Sequence, residues 1–427
     1  METRYAGLDF GTSNSSIGTV EDGRAFLVED ESGSSSVPSA VFYSREDGRT
    51  LFGRAAIESY RLGDEGRLLR SMKSVLGTSL MDSGTTIGRE RKRFDEIIGS
   101  FVGHLRDRLV ERCGALPPAI VVGRPVRFVD EDDAADAAAE ASLEAIVRAQ
   151  GFEEVGFQLE PIAAALAHER SVRAEERVFV VDIGGGTADF SIVRISPERA
   201  DVIERRDDVL ATAGVHVGGT DFDTRLSLAS AMPALGHGGR HAASGRTLPS
   251  RLYVDLATWH RIDSLYTPAV LHELGTLAAE AAEPERVRRA VEVVRGRRGH
   301  ALASAVEAAK IRLSSAPESV IELELADGAL RAPTDRATFE AAVGAEMGRI
   351  GAAIDETLRR AQLRPADIDT VFLTGGSSSV PILGTTVAAR LPGAAIVRGD
   401  TFGSVGLGLV LDARRRFGRA PRRSAVG

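Results

Sequence analysis

Asp9 and Asp182 each close an apolar run and open onto a turn of small polar residues. Gly11-Thr12-Ser13-Asn14 follows the first, and Gly184-Gly185-Gly186-Thr187 follows the second. Such a turn presents backbone N–H groups with no side chain in front of them, which suits phosphate oxygens. Thr and Ser hydroxyls add donors, and a carboxylate beside them is the hard-oxygen partner that Mg2+ or its waters take. A third turn, Gly375-Gly376-Ser377, follows the apolar run Val371-Phe372-Leu373-Thr374. One such turn is weak evidence, because hairpins use the same residues. Three, two of them with an Asp at a strand end, point to nucleotide binding. Other phosphate motifs are absent: no Gly-x4-Gly-Lys occurs, and Asp182 to Ile195 reads strand–turn–strand where a dinucleotide fingerprint needs strand–turn–helix. Asp9-Phe10-Gly11 spells a kinase triplet with no catalytic loop before it.

The elements that must position these residues alternate. Residues 5–20 read as strand, turn, strand, and the pattern returns at 178–195. Helices are expected over 131–150, from Pro161 onward, within 284–313 and over 337–361. Strands alternating with helices predict an α/β fold. Asp182 lies 173 residues after Asp9 in a matching setting, so two similar units facing each other would bring two Gly turns and two carboxylates to one cleft.

Composition narrows the function classes. The chain has 427 residues, enough for about three domain-sized units, with one Cys, one Trp and a net charge of −8. A lone cysteine, Cys113, excludes an internal disulfide framework and a Cys-rich zinc site and fits a reducing compartment. No run reaches about 18 apolar residues and no signal-peptide core opens the sequence, so a cytoplasmic location is expected, without membrane or general nucleic-acid binding. His237 and His241 stand four apart in a Gly-rich stretch, 232–250, that reads as a surface loop and is a poor zinc site. Three lysines, Lys73, Lys92 and Lys310, stand among fifty arginines. A retained Lys can mark a place where a planar guanidinium will not serve.

These motifs together resemble the actin/hexokinase/Hsp70 ATPase superfamily. Gly7-Leu8-Asp9-Phe10-Gly11-Thr12-Ser13-Asn14-Ser15 is similar to its first phosphate loop, and Val181 to Phe190 to its second, in the Hsp70 form. Ala211 to Asp223, with Gly218-Gly219-Thr220-Asp221-Phe222-Asp223, resembles the Hsp70 segment that follows. Leu373 to Ser377 with Val380-Pro381 resembles the adenosine loop, and Glu160-Pro161-Ile162-Ala163-Ala164-Ala165 the hinge helix with its catalytic Glu. The likeness covers about residues 5–415. Gly123-Arg124-Pro125-Val126 and Asp255 to His260 are similar to the divergent bacterial YegD-type proteins.

The resemblance implies a duplicated actin-like, ribonuclease H-like α/β fold with ATP or ADP and Mg2+ between two lobes. Lobe I would span 1–175 and lobe II 176–400, with a subdomain at about 222–360. A helix at 401–416 would return to lobe I, ahead of an Arg-rich tail at 417–427. By the same resemblance Asp9 and Asp182 hold the metal through waters, and Gly11, Thr12, Ser13, Asn14 and Gly184 to Thr187 hold the phosphates. Lys73, Glu160, Asp182 and Thr187 form the catalytic set. Gly218, Gly219, Glu307, Lys310, Ser314, Gly375, Gly376, Ser377 and Asp400 complete the nucleotide contacts. Pro125 matches the family's switch proline and equally fits a plain strand end.

The sequence also departs from the pattern. Ile311 and Ser379 stand where typical Hsp70s place two arginines that sandwich the adenine, so the cation–π contribution is missing. Arg312 is the nearest substitute, though it points about 100° away around the helix. Gly156-Phe157-Gln158-Leu159 lacks the polar residues that help such proteins meet a J-domain, and neither the peptide-binding domain nor its apolar–acidic linker is read in the sequence. The expectation is an Hsp70-like nucleotide switch with slow ATPase activity and protein partners on its lobe surfaces. A non-hydrolysing scaffold or filament protein and a small-molecule kinase are the rivals.

Overall fold

The computed structural model describes residues 5–81, 83–87, 90–129, 132–326, 328–398 and 403–418. Asp400 and the arginines 419, 422 and 423 lie outside the described residues. Its two main sheets repeat one topology. In the first, Tyr5–Phe10 (β1), Asn14–Glu21 (β2), Arg24–Leu27 (β3), Ala119–Arg124 (β4) and Glu154–Leu159 (β5) run in the order β3-β2-β1-β4-β5. The short strand Val37–Pro38 pairs with β2 off this path. In the second, Glu176–Ile183 (β6), Ala188–Ile195 (β7), Val209–Val215 (β8), Thr370–Thr374 (β9) and Ala395–Arg398 (β10) run β8-β7-β6-β9-β10. Each sheet opens with an antiparallel meander and continues with parallel strands from its first strand.

The repeat holds to the residue. Asp9 pairs with Ser16 and Phe10 with Ser15 across the first hairpin; Asp182 pairs with Asp189 and Ile183 with Ala188 across the second. Both hairpins therefore have the same loop length, and the alternation of a strand puts both aspartates on corresponding faces.

The central strands are buried on both faces and read as apolar runs, as β1, β4, β6 and β9 do, because parallel crossovers place helices on both sides. Phe94–Cys113 (α1) and Asp133–Ala149 (α2) pack together on the first sheet, with Asp132 capping α2 through Ala135 N. The second sheet carries Gly344–Ala361 (α6) and Pro381–Arg390 (α7). Between the sheets, Glu160–Glu169 (α3) crosses Ser404–Phe417 (α8). A Cβ on Gly408 would stand 1.8 Å from Ala163 O, so the crossing exists only with glycine there. α8 also covers β1, where a Cβ on Gly7 would stand 2.5 Å from Val410 N. The apolar residues of the crossing, Ile162 to Leu166 with Val405, Leu409 and Ala413, form a core of their own between the sheets.

Lobe II adds Gly219–Leu226 (α4) and Gly299–Ser315 (α5), with the helices Arg251–Ala257, Pro268–Glu280 and Pro284–Arg295 and shorter turns between them. The stretch expected to be a loop at 232–250 is short helical turns and bridges, including His241 to Ala281. No helix among the described residues is long and apolar enough to cross a membrane.

Candidate functional site

Four glycine segments meet at one place. The Gly184–Gly185 turn is the hub. Its Gly185 N donates to Ser13 Oγ of the first turn at 3.2 Å. Its Gly184 O accepts from Gly219 N at 3.0 Å and from Ser377 Oγ at 3.3 Å. Its Gly185 O accepts from Thr220 N and Thr220 Oγ1, both at 2.8 Å. At most of these glycines the packing leaves no room for a side chain. A Cβ on Gly185 would meet Ser13 Oγ at 2.3 Å, one on Gly218 would meet Gly185 backbone at 2.5 Å, and one on Gly375 would meet Asp182 Oδ1 at 2.4 Å. Gly375 also needs its glycine for a φ of +83°. Gly186 faces open space. On the other side Ser15 and Ser39 brace the first turn: Ser39 Oγ donates to Gly11 O at 2.7 Å and meets Ser15 Oγ at 2.8 Å, while Ser39 N donates to Ser13 O. Ser39 gave no signal in the sequence, being far from the motif it supports.

The charged floor is a cross-lobe cluster. Lys73 Nζ pairs with Glu160, and both are largely covered, at 10% and 18% exposure. Lys73 sits in a 3-10 turn, Met72–Val75, entered through Ser71 at φ +56°. A non-glycine residue in the left-handed region is strained, and here it precedes the turn that aims Lys73 at Glu160. Glu160 is the first residue of α3, with Pro161 next, a favourable place for a carboxylate. Burial pushes the Asp182 carboxyl up to about 8, with Asp189, Glu160 and Asp9 adding repulsion. Burial and Glu160 push Asp9 up to about 7. Burial works against a charge on Lys73, but Glu160, Asp9 and Asp182 outweigh it and raise its pKa. Two carboxylates held against their tendency to ionise, with a lysine among them, are what a divalent cation relieves; Asp9 and Asp182 therefore fit a metal held at this floor. Thr187 Oγ1 donates to Asp189 Oδ2 at 3.2 Å and stands at the edge of the same turn.

The residues expected to contact ribose and base lie on α5. Lys310 Nζ, buried, lies 2.9 Å from both carboxylate oxygens of Asp223 and 3.3 Å from Gly219 O. It thereby ties α5 to the segment that buttresses the phosphate turns. Asp223 is pushed up to about 6 by burial, against the pull of Lys310. It lies inside the Gly-Gly-Thr-Asp-Phe-Asp motif and was missed as a partner for Lys310. Glu307 is exposed, Ser314 half-buried, and Ile311 is 61% exposed. Arg312 does not stand in for the missing arginine: its Nε donates to Ser319 Oγ at 3.0 Å and its Nη2 to Val320 O at 2.8 Å, which holds it on the strand Glu318–Leu323. Ser379 is exposed at the end of the Gly376–Ser379 turn.

Among the described residues no group of three or more His, Cys, Asp or Glu side chains forms a metal cluster. His241 has a carboxylate beside it, Glu280 at 3.4 Å, while His237 packs on Tyr253. Pro125 follows the last residue of β4, and the turn after it is held by Arg124, which bonds Pro125 O, Val126 O and Asp136.

The family model described as Hsp70 protein matches residues 5–108, 116–231 and 291–392. A chaperone protein DnaK of Thermus thermophilus is 27% identical over 416 residues, covering 91% of this chain and 57% of DnaK. The chaperone protein HscA homolog of Burkholderia cenocepacia is 26% identical over 425 residues, covering 95% and 57%. The chloroplastic heat shock 70 kDa protein 6 of Arabidopsis thaliana is 26% identical, covering 89% and 48%. The chain thus spans about half the length of the curated relatives it matches. With two α/β lobes of one topology, a four-segment glycine cradle between them and a family match over most of its length, the chain belongs to the Hsp70 family.

Proposed function

We propose that the cleft binds ATP with Mg2+ and hydrolyses it slowly, as the nucleotide switch of a chaperone-type protein. The observation that carries this reading is the Lys73–Glu160 pair standing with Asp9 and Asp182 beneath the four-segment cradle. Backbone N–H groups of the two hairpin turns, with Thr12, Ser13 and Asn14 on one side and Gly184 to Thr187 on the other, receive the β- and γ-phosphates. Bound Mg2+, near Asp9 and Asp182, would neutralise phosphate charge. Glu160 and Asp182 orient a water and accept its proton as its oxygen bonds to the γ-phosphorus and the bridging P–O bond breaks. Lys73 stabilises the charge that develops on the transferring group.

At the base end Ile311 offers a methyl-rich face to one side of the ring, and Glu307 and Ser314 lie on the same helix for ribose and base. Lys310, buried against Asp223, acts by fixing that helix to the cradle. Stopped-flow phosphate release with Mg·ATP tests the reading: slow turnover is expected, lost in Lys73→Ala with nucleotide still bound. A wild-type protein that neither binds nor hydrolyses ATP would sink it.

A further inference from the structure

Beyond the Lys310–Asp223 pair, lobe I and lobe II touch through aromatic rings. The helix Gly53–Leu62 contributes Tyr60 and the strand Gly66–Arg70 contributes Arg70; across from them stand Trp259 and Asp263 of the turn Trp259–Leu265, Tyr266, and His300 at the start of α5. The Tyr60 hydroxyl donates to Asp263 Oδ2. The His300 ring lies edge-on to Tyr60 at 4.6 Å and to Trp259 at 4.7 Å, and Arg70 sits over Trp259 at 5.1 Å. His300 is seven residues before Glu307 on α5, about 10 Å along the axis, so the cluster stands at the outer end of the helix that lines the base end of the cleft. Trp259, Asp263 and Tyr266 fall between the spans that match the family.

We propose that this cluster is a proton-operated clasp, which holds the lobes together across the mouth of the cleft while His300 is neutral and releases them when His300 takes a proton. The nucleotide reading enters only through the identity of what is released. His300 is 5% exposed, and a buried imidazolium is costly unless its partners satisfy it. They do so only in part: among the described residues Asp263 is the sole carboxylate facing it, with Oδ1 4.0 Å away, beyond hydrogen-bond reach, while Oδ2 accepts from Tyr60, and the Trp259 backbone supplies one hydrogen bond. Tyr60 from the lobe I helix, Trp259 and Tyr266 offer rings, while Arg70 from the strand brings like charge and Arg297, just before α5, sits over Tyr266 at 5.6 Å. Arg261, on the turn of Asp263, is paired with Asp255. Burial accordingly holds His300 below the usual imidazole range, against the pull of Asp263. Opening the lobes returns the ring to water and to its ordinary range near 6.5. The closed form therefore keeps its full advantage above that value and loses it as the pH falls below.

Trp259 is the only tryptophan, so its emission reads the clasp directly in the ligand-free protein. Between pH 8 and 5 the emission is expected to shift to the red with a midpoint below about 6.5, and His300→Gln is expected to remove the shift with far-ultraviolet circular dichroism unchanged. Release of a fluorescent methylanthraniloyl ADP should quicken up to about tenfold per displaced pH unit in acid in the wild type, quicken much less in His300→Gln, where Asp9 and Asp182 still titrate near the site, and be faster throughout in Tyr60→Phe. A tryptophan titration that survives His300→Gln, or slower release in acid, overturns the clasp. Should the analogue fail to bind, the nucleotide reading falls while the tryptophan titration still decides the clasp.

Discussion

The phosphate end and the base end of the cleft are held by different physics. At one end four glycine segments pack closely, and a Cβ on Gly11, Gly185, Gly218, Gly219 or Gly375 would collide. At the base end the same cleft is lined by side chains of α5, where Ile311 stands exposed and Arg312 is turned away to Ser319 and Val320. Where backbone packs on backbone, as at Gly185, Gly218 and Gly375, a side chain is excluded, although Gly186 faces open space; side-chain recognition can change one residue at a time. Ile311 and Ser379 can therefore stand in the places expected for arginine without disturbing the glycine packing.

The sharpest break should come at the floor. Lys73→Ala is expected to lower the hydrolytic rate about 10²–10³-fold, the usual cost of one lost charge stabiliser, with equilibrium binding changed only a few-fold; single-turnover phosphate release and titration calorimetry separate the two. Gly375→Ala comes next, since a methyl group there meets Asp182 and a φ of +83°. Nucleotide affinity should drop at least about tenfold and the melting temperature by several degrees, a loss of order 1–3 kcal/mol. Ser379→Ala, at the base end, should leave both where they were.

A third measurement uses pH. In EDTA, Asp182 is a carboxyl whose burial raises its folded-state pKa to about 8. Its ionisation therefore opposes folding increasingly as the pH rises from the ordinary carboxylate range toward 8. Asp182→Asn should raise the melting temperature by a few degrees at pH 8.5 and by less at pH 5, as scanning calorimetry would show. The smallest effect belongs to the base. Ile311→Arg should improve the preference for ATP over GTP about two- to fivefold, the scale of one exposed cation–π contact, with no change in hydrolysis at saturation. Equal gains for both nucleotides would place Ile311 away from the base.

Much of the fold was legible because its signals are local. Glycine turns, the Asp that precedes each and the periodic helices lie within short windows, and the repeat of Asp9 in Asp182 foretold two matching hairpins. The two lysines of the cleft were legible through rarity: both are largely buried against carboxylates, Glu160 and Asp223, where a compact ammonium fits. Lys92, the third, rests over Tyr43 at 5.6 Å rather than in solvent alone. What stayed hidden depends on tertiary placement. The strained Ser71, the diversion of Arg312 to a neighbouring strand and the Tyr60–Asp263 bond across 203 positions have no periodicity to announce them.

The seating of α8 on β1 sets a schedule for synthesis. Gly7 is made some 400 residues before the backbone of Leu409 and Val410 that covers it. At about 5–20 residues per second the face of β1 waits roughly 20–80 s for its cover. The first sheet can pair its strands once Leu159 has emerged, yet it carries an unsealed apolar face through the whole translation of lobe II. Nascent chains of this protein are thus exposed to wrong partners throughout that interval, and the arrival of α8 ends the risk.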